Sequence, residues 1–565
     1  MTLTGAGGDL GAAAAAAVPG PGPGPGRGPG RVPAPATTAA SAAGPAAGAP
    51  VPERGAQGTG GLRLRWALAC ALAGGLALAA AFPPTGIWPL APAGPALLAV
   101  ALWRRSLRAS LLTGLVFGLA LFIPLLSWLL NVAWYAWVAL AVIETLIFGI
   151  LAVGQRILLG LRAWPLAVAG WWVCAEALRD RWPYAFPWGR LAMSQAGTPA
   201  APWAAVGGAP LLSFLVALAG TTLAWLLLAP GRPAWRGRAL PALGFTAAAG
   251  LALAGPLLPV DGPVPGAPTA TVAAVQGNVP HARNLPDLLR ATTVTVNHAA
   301  ATEHLAALVS AGRRPAPDLV IWPENSTDLD PRLYPQVYDT ISAAVSAIGR
   351  PVLVGTLLAN PLRNAGQLWL PGRGPGVTYV KRQLVPFGEY IPLRGLLAHI
   401  TTLVALQPHN FTAGHRAVVF HIGRIRLGDV ICYEVGFDNL VSSEVRAGAN
   451  LLTVQTNDAT FEVDGQRGET LQQLAMARIR AVESDRAVVV ASTTGVSAII
   501  APDGRLLAHS GTWRRAVLEA RVPLLSQRTL ADRLGGWPET AIVVLTLIAL
   551  GWAAAAPLRR RLGEG

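Results

Sequence analysis

Apolar runs, long and closely spaced, set the terms for this chain. They fall at about 64–82, 87–103, 109–130, 134–154, 164–179, 209–229 and 239–258, and one more lies at 538–556. Each comes near the ~20 residues a helix needs to cross a bilayer, the fifth being the shortest. Composition agrees, since 53% of the 565 residues are hydrophobic and only 13% charged. The expectation is a polytopic α-helical membrane bundle of about eight spans, seven of them before a long polar region.

Arginines orient the spans. Arg63 and Arg65 precede the first; Arg104, Arg105 and Arg108 follow the second; Arg156 and Arg162 follow the fourth; Arg232, Arg236 and Arg238 follow the sixth. The alternate loops near Pro83–Pro84 and Asn131–Ala133 carry no charge. The positive-inside rule then puts both termini in the cytoplasm and the polar region outside. Arg179, Arg181 and Arg190 dissent. Either they contact headgroups or the outer domain, or a span is miscounted. The net charge of +15 is accounted for by these topology signals, so no nucleic-acid partner is expected.

Residues 1–61 are Ala/Gly/Pro-rich and are expected to form a disordered cytoplasmic tail. They do not read as a signal peptide, because the apolar segment begins only near Trp66. The bundle takes 62–260, an extracytoplasmic domain 261–535, the last span 536–557 and a short cytoplasmic tail 558–565. In the third segment strand-like runs recur at 271–276, 319–322, 351–358, 377–380, 428–432, 450–456, 487–492 and 497–500. Helical patterns lie between several; Leu471, Ala475, Ile479 and Val482 share one face. Ala501–Arg505, APDGR, signals a hairpin turn. This is one α/β domain. Of the three cysteines, Cys70 and Cys174 lie in apolar runs, so no disulfide framework is expected. The eight histidines lack metal-site spacing, and no metal or cofactor is expected.

The chemistry gathers around Leu427–Glu434, LGDVICYE, where a β-rich run leads into Cys432. Glu324 follows another strand in IWPEN, and Lys381 ends a third in VTYVK. A thiol, a carboxylate and a lysine at strand ends can serve as nucleophile, base and oxyanion cation. His415 and His421 are alternative bases near in sequence, but neither lies in a Cys–His family context. The bland readings are a buried structural cysteine, a helix-capping or surface glutamate and a solvated lysine.

These residues resemble the nitrilase, or carbon–nitrogen hydrolase, superfamily. With the bundle, the chain is similar to its membrane-bound apolipoprotein N-acyltransferase family. The resemblance covers about 62–556 and rests on VQGNVP (275–280), IWPEN, LVPFGEY after Lys381, CYE (432–434), TNDATF and MARIRAVE (456–483), with FPW (186–188) and Ser194–Gln195. It implies an α-β-β-α sandwich, Glu324 as general base, Lys381 as oxyanion stabiliser and Cys432 as acylated nucleophile. Glu389 matches a second essential carboxylate, and Tyr433 and Glu434 match supporting positions. Thr460 stands where the family often has tryptophan. The resemblance further implies an acyl thioester, a phospholipid donor and a diacylglyceryl apolipoprotein acceptor at the cell membrane of a bacterium, with one chain acting as a monomer. Two other readings compete: a membrane-tethered amidase, in which water replaces the amine, and a non-enzymatic scaffold.

Three further features bear on lipid. Apolar residues of Leu393–Leu406 share a helical face, which suits either an amphipathic arm on the membrane or a core-facing helix. Glu144 is an acid near mid-span, with either a substrate-handling or a packing role, and Glu176 pairs naturally with Arg179. Trp134, Trp137, Trp171, Trp172, Trp182 and Trp188 read mostly as interface-belt aromatics.

Overall fold

The computed structural model describes residues 61–229, 234–258, 266–280, 286–399, 401–462 and 465–563. The expected disordered tail lies outside these residues. Seven helices come first: α1 (Leu64–Ala81), α2 (Ala93–Leu102), α3 (Leu107–Leu125), α4 (Trp134–Leu158), α5 (Trp164–Arg179), α6 (Ala204–Leu228) and α7 (Ala234–Leu253). They correspond one for one to the apolar runs. Among the described residues, five helices are long and apolar enough to cross a membrane: α1, α3, α4, α6 with its lead-in from Ala201, and a final helix at Trp537–Ala556. Trp88–Leu102 and Arg238–Leu253 are shorter, and α5 has 16 residues.

Small residues let these helices approach closely, as packing between lipid-embedded helices requires. A β-carbon on Gly75 of α1 would stand 2.5 Å from the Phe117 carbonyl and 2.6 Å from Ala120 of α3. Helix α6 is broken at Gly207 and Gly208, where φ is −142° and +71°.

Two six-stranded sheets follow. The strands are β1 (Thr269–Gln276), β2 (Leu319–Ile321), β3 (Val352–Leu358), β4 (Arg363–Leu370), β5 (Gly374–Val380), β6 (Val419–Ile422), β7 (Ile425–Ile431), β8 (Leu451–Thr456), β9 (Val488–Ser492), β10 (Ala498–Ile500), β11 (Leu506–His509) and β12 (Ala516–Pro523). One sheet has the order β12-β1-β2-β3-β4-β5, the other β11-β10-β9-β8-β7-β6. The central pairs β1–β2–β3 and β7–β8–β9 are parallel. Their strands are buried on both faces, which is why LLTVQT and VVVAS read as apolar runs without alternation.

The sheets bury Leu353, Leu427, Leu451, Val489 and their neighbours between them. Outside the first sheet lie α8 (Asp287–Ser310) and α9 (Pro335–Ile348), which cover Val320, Trp322 and Val354. Then come α10 (Arg394–Leu397), α11 (Asp438–Arg446), α12 (Gly468–Ser484), α13 (Leu530–Leu534) and α14 (Trp537–Gly563). Helices α11 and α12 cover the second sheet, completing the expected α-β-β-α sandwich. Helix α12 also packs on α6, so one hydrophobic cluster runs from the bundle through α12 into the second sheet. The sequence shows one apolar face on α12, whereas the structure buries it almost all round, glutamines and Arg480 included. The second burying surface is the bundle.

The APDGR turn joins β10 to β11 as expected, with Gly504 at φ +79°. The proposed arm at 393–406 is not one helix. It divides into α10 and a 3-10 turn at Thr402–Leu406, because Thr401 is extended at φ −148° and its side chain caps Leu403. Leu393, Leu396 and Leu403 are exposed, while Val404 is buried. Ile400 lies outside the described residues.

Candidate active site

Parallel strands deliver their carboxyl ends to one edge of a sheet, where open α/β folds place their sites. Glu324 lies three residues beyond β2, Lys381 directly after β5 and Cys432 directly after β7. Glu324 needs help to turn inward. Its chain crosses the bare backbone of Gly355 on β3, where a β-carbon would lie 2.7 Å from Glu324 Cα. Cys432 takes φ +55°, a conformation costly for a side-chain-bearing residue. A tight turn after a strand imposes that strain and holds the sulfur up from the sheet.

Lys381 Nζ donates to Glu324 Oε1 at 3.0 Å and to Glu389 Oε1 at 3.1 Å. Asn364, at the start of β4, spans the same two carboxylates, at 2.7 Å and 2.8 Å. The other Glu324 oxygen accepts from the Asn457 N–H at 2.9 Å, and Glu389 accepts from the Val385 N–H at 2.8 Å. All four residues are buried. Burial by itself would push the Lys381 ammonium down; Glu324, Glu389 and the nearby Cys432 hold it well above its ordinary value instead. Burial pushes the Cys432 thiol up, the charge of Glu324 adds to this, and Lys381 opposes it. A sulfur so placed favours its protonated form, and it could act as a nucleophile only with a nearby base to take that proton.

Glu434 ties the lysine strand to the cysteine turn. One oxygen accepts from the Arg382 N–H (2.6 Å) and the Gln383 N–H (3.0 Å); the other accepts from the Ile431 N–H (2.6 Å) and the Tyr379 hydroxyl (2.8 Å). Tyr433 faces the bundle instead. Its hydroxyl donates to the Ala185 carbonyl at 2.7 Å, and its ring stacks on Trp188 at 5.6 Å. Gly436 completes that contact, since a β-carbon there would stand 2.5 Å from Pro187. The FPW segment thus packs on the turn that carries Cys432.

The structure brings Glu324, Lys381, Glu389, Cys432 and Glu434 together. His421 lies exposed on β6, outside this hydrogen-bond network. Asn364, Asn457, Arg480 and Gln473 belong to the site, although the sequence reading missed them. Arg480 donates to the Val435 and Gly436 carbonyls, both at 2.9 Å. Its signal was its place inside MARIRAVE, where the sequence alone does not separate it from Arg478. Asn364 gave no such signal, because β4 opens with the loop-like RNAG.

Several expectations for the bundle are corrected. Arg179 pairs with Glu144, not Glu176, and also donates to the Trp188 carbonyl at 2.5 Å. Glu176 accepts from the Leu191 N–H at 2.7 Å. Arg190 reaches Asp438 at 2.8 Å, and Arg181 reaches Glu539 at 2.5 Å. The three dissenting arginines are therefore ion-paired, two of them to acids distant in sequence. Trp134 and Trp182 are exposed, as belt residues would be, but Trp172 and Trp188 are buried. Thr460 is half-buried, and the next residue, Phe461, meets Trp128 edge-on at 5.3 Å.

A carbon–nitrogen hydrolase fold is what this sandwich defines, and the family model described as carbon-nitrogen hydrolase matches residues 271–531. An amidase of the nitrilase superfamily from Nesterenkonia AN1 aligns at 16% identity and a TM-score of 0.36, over 48% of this chain and 97% of that one. The model for the apolipoprotein N-acyltransferase N-terminal domain matches residues 74–222. The apolipoprotein N-acyltransferase of Mycolicibacterium smegmatis is 39% identical over 546 residues, 91% of each chain. That of Azotobacter vinelandii is 32% identical over 521 residues, 87% of this chain and 95% of its own. The chain belongs to the apolipoprotein N-acyltransferase family.

Proposed function

We propose that this enzyme moves a fatty acyl group from a membrane phospholipid, through a thioester on Cys432, to the N-terminal α-amine of an S-diacylglyceryl-cysteine lipoprotein. The observation that carries the reading is the convergence of Glu324, Lys381 and Cys432 beneath a turn packed on the bundle.

In the first half-reaction Cys432 attacks the donor ester carbonyl while Glu324 takes the thiol proton. Lys381 faces the oxyanion of the tetrahedral intermediate, and Glu324 returns the proton to the leaving lysophospholipid oxygen. In the second, the lipoprotein amine attacks the thioester carbon and Glu324 takes the amine proton. A general base contributes roughly 10²–10⁴-fold and an oxyanion donor roughly 10²–10³-fold. Glu389 and Asn364 hold Lys381 and Glu324 at their separation. No metal or cofactor enters either step. An amine displaces the thioester ahead of water only where water is kept out, and the burial of the site supports that condition.

All eight helices are taken as spans, with both termini cytoplasmic and the sandwich on the extracytoplasmic side. The arginine loops support that orientation, and lipid substrates account for a bundle larger than a tether needs. One chain carries every residue assigned here.

Intact mass after incubation with phospholipid tests the reading. Wild type is expected to gain one acyl chain and Cys432→Ser none, and a diacylglyceryl peptide with a free α-amine is expected to discharge the adduct. Discharge by water alone would make the protein an amidase-type hydrolase. An active protein without an adduct would remove Cys432 from its role.

A further inference from the structure

Helix α12 presents two neighbouring glutamines to two different surfaces. Gln472 faces the bundle, where it donates to the Pro83 carbonyl at 3.0 Å and the Leu125 carbonyl at 3.1 Å and accepts from Trp128 Nε1 at 3.3 Å. Gln473 faces the site. Its amide nitrogen lies 3.6 Å from Cys432 Sγ and 3.4 Å from Glu469 Oε1. At 1% exposure this amide has no water to turn to, so its two N–H groups go where these acceptors are. The mechanism above uses neither Gln473 nor Glu469.

We propose that Gln473 is a further catalytic residue: its amide donates to the Cys432 sulfur and steadies the thiolate each time the thioester opens. This rests on the acyl-transfer reading for the step it serves. When the amine attacks, the C–N bond forms and the C–S bond breaks. The sulfur keeps the electron pair, and the amine proton passes to Glu324. The departing sulfur carries the charge until Glu324 returns that proton to it. Lys381 is shared between two carboxylates and the oxyanion site, so a donor from α12 supplies stabilisation the lysine does not.

The charged groups facing the sulfur are Glu324, Lys381 and Glu469; the Thr456 hydroxyl also reaches it, but its proton goes to Asp458 Oδ1 at 2.9 Å. An ionised Glu469 would oppose the thiolate. Burial, with Asp458 and Glu462 beside it, holds the Glu469 carboxyl well above the usual range, so it faces the sulfur as a neutral acid. Gln473 then offers the sulfur a neutral donor at 3.6 Å. The three bundle contacts of the adjacent Gln472 anchor this turn of the helix against the bundle.

The test is the pH dependence of Cys432 alkylation by iodoacetamide, read on the Cys432 peptide by mass spectrometry in the full chain in detergent. Gln473→Met keeps the volume and removes the donor. The alkylation profile is expected to move up by about one pH unit, so that alkylation at a fixed pH below the thiol pKa slows about tenfold. Discharge of the acyl-enzyme by amine is expected to slow as well. An unmoved profile in a variant that melts like wild type would overturn the proposal, because a packing role leaves thiol ionisation alone. Glu469→Gln provides a second arm should Gln473→Met fail to fold. It keeps an acceptor for Gln473 and a donor for Asp458, and its profile is expected to match wild type. A shift to lower pH would mean that Glu469 is charged and governs the sulfur, which also overturns the proposal. Alkylation needs no lipid, so a wild type that forms no acyl adduct sinks the acyl-transfer reading without deciding the role of Gln473.

Discussion

Replacing Glu434 by glutamine changes one atom and should disable the site. Glu434 is fully buried and accepts four hydrogen bonds, two on each oxygen. Glutamine has one oxygen, so its nitrogen must face two donors. The cheaper orientation turns nitrogen toward Tyr379 and Ile431, because the Tyr379 hydroxyl can rotate and accept. The Ile431 N–H, one residue before Cys432, is then left without a partner. An orphaned buried donor costs about 1–3 kcal/mol, and two bonds that fall from charge-assisted to neutral lose about 1 kcal/mol each, giving roughly 3–5 kcal/mol. The loss falls on the segment that fixes Cys432 against Lys381, where a displacement of about 1 Å costs on the order of 10²-fold in rate. Glu434→Gln is therefore expected to melt several degrees lower and to form acyl-enzyme at least tenfold more slowly by intact-mass kinetics. A variant that melts within about a degree of wild type and acylates within twofold would show that the Glu434 contacts do not hold the site.

Two further outcomes follow from buried acids. Arg179→Met strands Glu144 in the bundle and is expected to cost about 3–5 kcal/mol, whereas Glu144→Leu/Arg179→Met removes both charges and should recover most of that. Acyl transfer by the recovered double variant would assign Glu144 to packing; a stable but inactive one would return it to substrate handling. Asp429 is fully buried with neither oxygen hydrogen-bonded, and burial followed by the charges of Glu434, Glu444 and Glu324 holds its carboxyl well above the usual range. The native state thus keeps a proton that the unfolded chain releases, so stability is full below the ordinary carboxylate pKa and falls as pH rises from there toward the raised native one. Asp429→Asn is expected to gain on the order of 1–3 kcal/mol near pH 7 and nothing below about pH 4. Denaturant melts at the two pH values would show it, and an equal gain at both would refute it.

The parts legible in sequence were those governed by local rules. The apolar runs mark the bundle helices, because a lipid-facing helix has to be apolar along its length. Buried parallel strands announce themselves as apolar runs, so all six of them were anticipated, together with the antiparallel β5 and β10. Strands β4, β6, β11 and β12 were not. Their burial is incomplete or their sequences are interrupted by polar residues, and pairing with a neighbour decides their state. The supposed arm failed for a related reason: apolar periodicity is compatible with a helix, but Thr401 breaks it.

The same division runs through the site. Glu324, Lys381, Glu389 and Cys432 were readable because each follows a strand signal or a motif. By itself the sequence determined a membrane bundle joined to an α/β layer, and singled out Glu324, Lys381 and Cys432 as the residues to which the proposed roles of base, cation and nucleophile fall. Only the tertiary structure decided that Asn364 bridges two carboxylates, that Glu434 joins two strand ends, and that Arg179 belongs to Glu144. Hydrophobic patterning is summed over neighbouring residues and survives in one dimension. A buried polar group is satisfied by whichever partner the fold brings within about 3 Å, and that partner is often hundreds of residues away.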